Sequence, residues 1–105
     1  MKYLVNAFSV NMLSDSSEVT FRKVTLDEAR ALAADAVSAV GHAPTATFYS
    51  RLLQLPVESN RVAVTLSTGD SVLVGALGAR LDEGRVLTDE ELQRFPVTWW
   101  YVEVR

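Results

Sequence analysis

Residues 61–77 read RVAVTLSTGDSVLVGAL, and this stretch decides the class of fold that the sequence predicts. Valine and other residues that favour strands dominate both its first six and its last seven positions. The residues between them include Gly69 and Asp70, which are typical of tight turns. The pattern predicts a β-hairpin whose two strands cover residues 61–66 and 71–77.

Three more strands are predicted outside this hairpin, over residues 2–7, 18–24 and 97–104. Each contains valine and aromatic residues, which fit the half-buried surface of a sheet. Polar or charged stretches of the kind that forms loops separate the strands from their neighbours. Together with the hairpin, the sequence therefore predicts about five strands.

Three short helices are predicted between the strands. Thr25 and Thr88 each begin a Thr-x-x-Glu capping box, in which threonine and glutamate bond the free N–H groups at a helix start. Pro44 suits the first turn of the middle helix, where the N–H that proline lacks would have no partner. Strands and helices mixed in this way predict a single α+β domain over residues 1–105, with a mixed sheet of about five strands and short helices packed on it.

The composition is that of an ordinary globular domain, with 105 residues of which 49% are hydrophobic and 22% charged. The net charge of −3 argues against a protein that coats long nucleic acids, although a pocket can still hold a small anion. No stretch approaches the ~20 apolar residues of a membrane span, and the apolar start is too short for a signal peptide. With no cysteine, the chain is expected in the cytoplasm.

His42 is the one acid–base candidate that the residue types single out. It is the only histidine, and it stands just before the predicted helix that begins near Pro44. Free N–H groups at a helix start attract anions, and a histidine beside a bound phosphate can donate a proton near neutral pH. The alternative is a histidine that only ends a segment and bonds backbone. One histidine and no cysteine also leave no expected metal site or cofactor.

Two further groups of polar residues are ambiguous by themselves. Arg80 could hold a phosphate by two parallel hydrogen bonds, and Glu83 could orient His42 or a sugar hydroxyl. Equally, Arg80 and Glu83 could form a solvated surface pair. Polar residues that follow the first strand could bond a nucleotide or only their own backbone, and they are Asn6, Ser9 and Asn11.

The aromatic run Trp99-Trp100-Tyr101 lies in the last predicted strand. Its rings could stack on bases, but packing in the core or at a subunit interface is the favoured interpretation. Because neighbouring residues of a strand point to opposite faces, Trp99 and Trp100 are expected on different sides of the sheet.

Four stretches together resemble one known family. VNAFSVNML at residues 5–13, SAVGH at 38–42, NRV at 60–62 and RLDEGRVLTDEE at 80–91 are similar, in this order, to the viral type III anti-CRISPR ring nucleases and the related ring nucleases of CRISPR loci. Members of that family are homodimers that bind cyclic tetra-adenylate and cleave it without metal into linear di-adenylates. The resemblance implies a homodimeric phosphodiesterase that switches off second-messenger signalling in type III CRISPR defence.

The resemblance also implies roles for particular residues. His42 matches the family's catalytic histidine, while Arg80 and Glu83 match its active-site arginine and glutamate. Pro44 and Ala76 stand where relatives carry polar residues, which implies weaker contacts with the ligand. The residues that match ligand-binding positions are Asn6, Phe8, Ser9, Asn11, Thr45 and Arg61.

Two other functions remain open from the sequence. The first is a binding module that sequesters the cyclic nucleotide without efficient cleavage. The second is a structural or adaptor dimer that uses Trp99 and Trp100 as its interface. The presence of His42, Arg80 and Glu83 favours catalysis over sequestration, whereas a nucleotide-dependent thermal shift would separate the structural dimer from both.

Overall fold

The structure, a computed structural model, describes residues 1–14, 18–81 and 86–105. Its strands form one sheet in the order β2-β5-β4-β1-β3. β1 runs parallel to both β3 and β4, whereas β5 runs antiparallel to β2 and β4. The predicted α+β domain with a mixed five-stranded sheet is therefore confirmed. The strands are β1 (Lys2–Val5), β2 (Val19–Val24), β3 (Val37–Ser38), β4 (Ser71–Leu77) and β5 (Val97–Val104).

Three α-helices pack on the sheet, and both predicted capping boxes are present. The Thr25 hydroxyl accepts a hydrogen bond of 3.2 Å from the Glu28 N–H, and the Glu28 carboxylate accepts one of 3.1 Å from the Thr25 N–H. Thr88 and Glu91 repeat this exchange at 3.1 and 3.0 Å. No helix in the described part is long and apolar enough to cross a membrane. The helices are α1 (Leu26–Ala33), α2 (Ala43–Leu53) and α3 (Asp89–Arg94), and a short 3-10 turn covers Val10–Met12.

The predicted hairpin is wrong in its first half. Within the described chain, residues 61–65 pair with no strand, and Leu66 forms only an isolated parallel bridge with Leu13. The predicted turn does exist, since the Asp70 carboxylate accepts a 2.9 Å hydrogen bond from the Ser67 N–H. However, it leads into a strand that β1 and β5 already flank on both sides. The fifth strand is instead β3, which is only two residues long and was not predicted.

The hydrophobic core lies on both faces of the sheet. Beneath the helices, Tyr49, Leu73 and Trp99 are buried in one cluster. On the opposite face, Val102 is fully buried in a second cluster, and Trp100 packs against it while remaining half-buried. The expectation that the two tryptophans face opposite sides is thus confirmed, and Trp99 belongs to the core.

Candidate functional site

One cleft lies at the edge of the sheet where its parallel strands end. Because β1, β3 and β4 are parallel, the segments that follow them emerge at the same edge, the usual ligand site of such sheets. Asn6 follows β1, His42 comes shortly after β3, and Arg80 comes shortly after β4. The cleft that they line has a volume of about 600 Å³, within the range of small-ligand sites.

The N-terminus of α2 opens into this cleft. His42 is its N-cap residue, with an extended backbone (φ −122°, ψ 124°), and its carbonyl accepts a 2.9 Å hydrogen bond from the Ala46 N–H. Pro44 stands in the first turn, as predicted. The first N–H groups of a helix have no partner within it, so those of Ala43 and Thr45 carry partial positive charge at the cleft. This arrangement favours an anion.

The imidazole of His42 is not used to build the helix start. It forms no capping hydrogen bond in the described part of the chain, and the residue is exposed. The alternative in which His42 serves only as a backbone anchor therefore finds no support in this geometry. An exposed imidazole beside a helix N-terminus can instead exchange a proton with a bound ligand.

Thr45 and Asn6 add neutral hydrogen-bonding groups to the cleft. Thr45 lines the cleft and is only 6% exposed, so its hydroxyl stands in the wall of the cleft and not in open solvent. Asn6 is half-buried at the end of β1, where its amide can both donate and accept. These two residues can orient a ligand whose charge the cationic groups attract.

Arg80 supplies fixed positive charge. Its exposed side chain lines the same cleft as His42, and the described lining residues include no carboxylate. A guanidinium can hold two phosphate oxygens at once, which a lysine ammonium cannot do. Glu83, the remaining predicted catalytic residue, lies in residues 82–85 and thus outside the described residues.

Other predicted ligand contacts lie at the border of the cleft or away from it. Arg61 adjoins the lining residue Gly41, whose added Cβ would stand 3.4 Å from the Arg61 Cγ. The Ser9 hydroxyl accepts a 3.2 Å hydrogen bond from the Asn11 N–H and so begins the 3-10 turn. Phe8 packs edge-on against Phe21, with ring centroids 5.6 Å apart, over the face of the sheet away from the helices.

A support that the sequence reasoning missed holds the strand before His42. The Asn60 amide donates a 2.8 Å hydrogen bond to the Ser38 carbonyl, and the Ser38 hydroxyl donates one of 2.6 Å to the Glu58 carbonyl. These bonds attach the segment after α2 to β3 and fix the path of the chain into Gly41. Ser38 and Asn60 both lie in the stretches that resemble the ring nucleases, at 38–42 and 60–62. That resemblance was the one feature of the sequence that could have indicated their structural role.

The fold is that of a small α+β protein, with a cleft at the edge of the sheet where its parallel strands end. A protein-family model described as STIV B116-like matches residues 2–99, and the chain belongs to this family. It is 37% identical over 95 residues to the uncharacterized protein ORF116 of Acidianus filamentous virus 1, covering 88% of this chain and 82% of that protein. It is 32% identical over 108 residues to the uncharacterized protein 26 of a Sulfolobus islandicus filamentous virus, covering 99% and 92%.

A solved structure shares the whole fold. B116 of Sulfolobus turreted icosahedral virus superposes with a TM-score of 0.89 and 28% sequence identity, covering 97% of each chain. The relatives are viral proteins of archaeal viruses, and the protein is assigned to a viral family on this ground.

Proposed function

We propose that this protein is a metal-independent ring nuclease that binds cyclic tetra-adenylate and cleaves it to linear di-adenylates. The observation that carries the proposal is the meeting of Asn6, His42, Thr45 and Arg80 in one cleft. These residues come from distant parts of the chain, and each is a site residue that the sequence predicts. The family resemblance adds the substrate, and the cleft supports the chemistry.

The substrate carries its own nucleophile. In each nucleotide the ribose 2′-oxygen lies beside the 3′-phosphate, so its attack is intramolecular and proximity supplies much of the rate. The bond from the 2′-oxygen to phosphorus forms as the 2′-hydroxyl loses its proton to water, and the bond from phosphorus to the 5′-oxygen of the next nucleotide breaks. The products are a 2′,3′-cyclic phosphate and a 5′-hydroxyl, so the reaction needs no metal-activated water.

His42 is the general acid in this mechanism. Its imidazolium gives a proton to the leaving 5′-oxygen, an effect of roughly 10² to 10⁴ in rate. Arg80 and the first N–H groups of α2 stabilise the charge on the phosphoryl oxygens. Glu83 is assigned to position the 2′-hydroxyl or His42, and it stays a sequence-based prediction.

The substrate also motivates the proposed homodimer. A cleft of about 600 Å³ is small for a ring of four nucleotides, whereas a two-fold pair of chains would present two His42 residues to opposite linkages. An apolar groove of about 290 Å³ on the face of the sheet away from the helices supports association. This apolar groove is lined by Phe8, Phe21, Val74, Trp100 and Val102.

The viral relatives support an anti-CRISPR role. A virus gains from destroying a second messenger that would otherwise activate the effector nucleases of type III CRISPR defence. The site of action would be the cytoplasm of the infected cell.

The decisive experiment incubates cyclic tetra-adenylate with excess protein in excess EDTA and separates the products by chromatography. We expect linear di-adenylates. Loss of cleavage in EDTA that a divalent ion restores would overturn the metal-independent mechanism. Binding without cleavage would instead identify a sequestering module, and the absence of any thermal shift with the ring would identify a structural dimer.

A further inference from the structure

We propose that a second cleft, at the opposite end of α2 from His42, binds a small phosphate monoester that carries an aromatic or nucleoside group. Its volume is about 530 Å³, and it shares no lining residue with the His42 cleft. It lies between the helices and strands β2 and β5, and the C-terminal residue Gln54 of α2 is in its wall. The proposal does not depend on the ring-nuclease activity, and we refer to this site as the basic cleft.

Charge selects an anion for the basic cleft. The charged side chains in its described lining are Lys23, Arg30 and Arg51, all cationic, in a chain whose acidic residues outnumber its basic ones by 13 to 10. Three positive groups around one cavity favour a dianion such as a phosphate monoester over a single carboxylate.

The two guanidinium groups are held in place by backbone carbonyls. Arg30 donates from Nε to the Leu52 carbonyl oxygen at 3.0 Å, and Arg51 donates from Nη1 to the Leu87 carbonyl oxygen at 2.6 Å. Their side chains are 33% and 29% exposed, so each is partly withdrawn from water and its charge is less screened. Donors fixed in this way lose little freedom when an anion arrives.

The carboxylates near these arginines compete weakly for them. Asp27 stands 3.4 Å from Arg30 and Asp89 stands 3.2 Å from Arg51, but the two carboxylate side chains are 92% and 99% exposed. Ion pairs with such solvated partners contribute little and exchange readily. Lys23 forms no ion pair within the described part of the chain.

Neutral donors and an apolar wall indicate the rest of the ligand. Gln54 ends α2 with a left-handed backbone (φ 58°), a conformation that favours glycine at helix ends. The residue there is nevertheless a glutamine, which adds an amide group to the lining of the cleft. Gln93 and Thr98 add further polar groups. The rest of the wall is apolar and includes Leu26, Leu92, Phe95 and Trp99. Such a wall would bind an aromatic or nucleoside group attached to the phosphate, and inorganic phosphate carries no such group.

Trp99 provides a reporter for the basic cleft. Its Cζ3 edge lies close to Gly75 in the core, and the residue lines the cleft although it is only 3% exposed. A ligand against this wall changes the surroundings of the ring, so the indole N–H signal can follow binding.

The test titrates phenyl phosphate into the whole protein and follows the two indole N–H signals by NMR. The Trp99 signal is assigned with Trp100→Phe. We expect phenyl phosphate to shift the Trp99 signal in a saturable way, whereas inorganic phosphate or phenol alone should shift it little. AMP should cause a comparable shift if the natural ligand is a nucleotide. If only phenyl phosphate binds, the site takes simple aryl phosphates.

Variants separate this site from the His42 cleft. Arg51→Gln and Lys23→Gln should each weaken phenyl phosphate binding about tenfold, the size of one lost charge-assisted contact. Arg80→Gln, which removes a positive charge from the His42 cleft, should bind phenyl phosphate normally, and so should Arg94→Gln, which removes an exposed charge outside the basic cleft. Lys23→Gln guards against misfolding, because Lys23 is exposed and forms no ion pair in the described chain.

The opposing explanation is that the arginines only complement the negative end of α2. In that case Arg51→Gln and Lys23→Gln would leave any phenyl phosphate binding unchanged, or the Trp99 signal would not move at millimolar ligand. Loss of binding in Arg80→Gln would also overturn the proposal, since the phosphate would then occupy the His42 cleft. None of these results would bear on cleavage of cyclic tetra-adenylate.

Discussion

The hydroxyl of Tyr49 donates a hydrogen bond of 2.5 Å to the carbonyl oxygen of Gly75, deep beneath the helices. It joins α2, which begins after His42, to β4, which leads towards Arg80. The bond therefore fixes the element that delivers the proposed acid against the element that delivers the proposed cation. Burial also raises the pKa of Tyr49, so its hydroxyl remains a donor throughout the physiological range.

Gly75→Ala tests how tightly this contact is packed. An added Cβ would overlap the Tyr49 hydroxyl and would come within 2.8 Å of the Trp99 ring. Overpacking of this kind destabilises a core by about 1–3 kcal/mol, and we expect that loss in urea unfolding. The neighbouring Ala76→Ser is the control, because Ala76 is exposed. Equal stability of Gly75→Ala and the wild type would contradict the described packing.

Asp70 predicts a specific dependence of stability on pH. The Ser67 N–H and then the N-terminal ammonium, 3.0 Å away, hold the pKa of the Asp70 carboxyl below its usual range. A lowered pKa in the folded state stabilises the protein above the unfolded value of about 3.9, and this contribution is lost as the pH falls through the folded value.

Asp70→Asn should therefore lower the melting temperature at about pH 7, and the difference from wild type should shrink at about pH 3. Asparagine can still accept from Ser67, so the comparison isolates the charge. A difference that stays constant with pH would show that the charge of Asp70 is not involved.

Local signals in the sequence predicted the helices because their causes are local. The side chains of Thr25 and Glu28 each accept a hydrogen bond from the other residue's backbone N–H, within one turn of helix. Pro44 likewise suits the first turn of a helix whatever that helix packs against. Strand pairing depends on distant partners, so the same reasoning failed at residues 61–66. The pattern there indicates an extended chain, but only the tertiary fold decides that β5 rather than this segment flanks β4.

The site was predictable to a similar depth. His42 could be singled out from residue types, and the resemblance added Asn6, Thr45 and Arg80, which the fold brings into one cleft. The basic cleft could not be predicted, because Lys23 of β2 and Arg51 of α2 line one cavity only in the folded chain. Arginines scattered along a sequence do not reveal which of them share a cavity.

Phe21→Asp tests the proposed dimer. Phe21 is 56% exposed in the apolar groove, so a charge there should leave the fold intact while disrupting a partner chain packed on it. We expect light scattering to show a wild-type dimer and a monomeric variant. Val62→Asp is the matched control, because Val62 is 50% exposed outside that groove. A wild-type monomer that binds one ring for each chain would contradict the proposed assembly.

Arg80→Lys separates charge from geometry in the proposed site. Lysine keeps the positive charge of this cleft residue but cannot hold two phosphate oxygens in the planar fork of a guanidinium. We expect the Kd for cyclic tetra-adenylate to rise about tenfold, as for one lost charge-assisted hydrogen bond. Arg61→Lys, at the border of the cleft, should have a smaller effect. The reverse order would assign the main phosphate contact to Arg61.

His42→Ala separates catalysis from binding. If His42 donates the proton to the leaving 5′-oxygen, the single-turnover rate should fall by roughly 10² or more while ring affinity changes little. Thr45→Val makes the complementary change, since it removes a hydroxyl from the cleft wall and leaves the imidazole in place. Thr45→Val should weaken binding of the ring more than it slows cleavage of the ring once bound.

The comparison must be made at equal thermal stability, because a merely structural histidine would lower affinity and rate together. The exposed imidazole forms no capping hydrogen bond in the described chain, so its removal should leave α2 intact. Added imidazole should then restore part of the rate in His42→Ala, since the vacated space lies at the surface. An unchanged single-turnover rate in His42→Ala would exclude His42 as the acid. A rate that falls and is partly restored by added imidazole would identify the imidazole group as the proton donor.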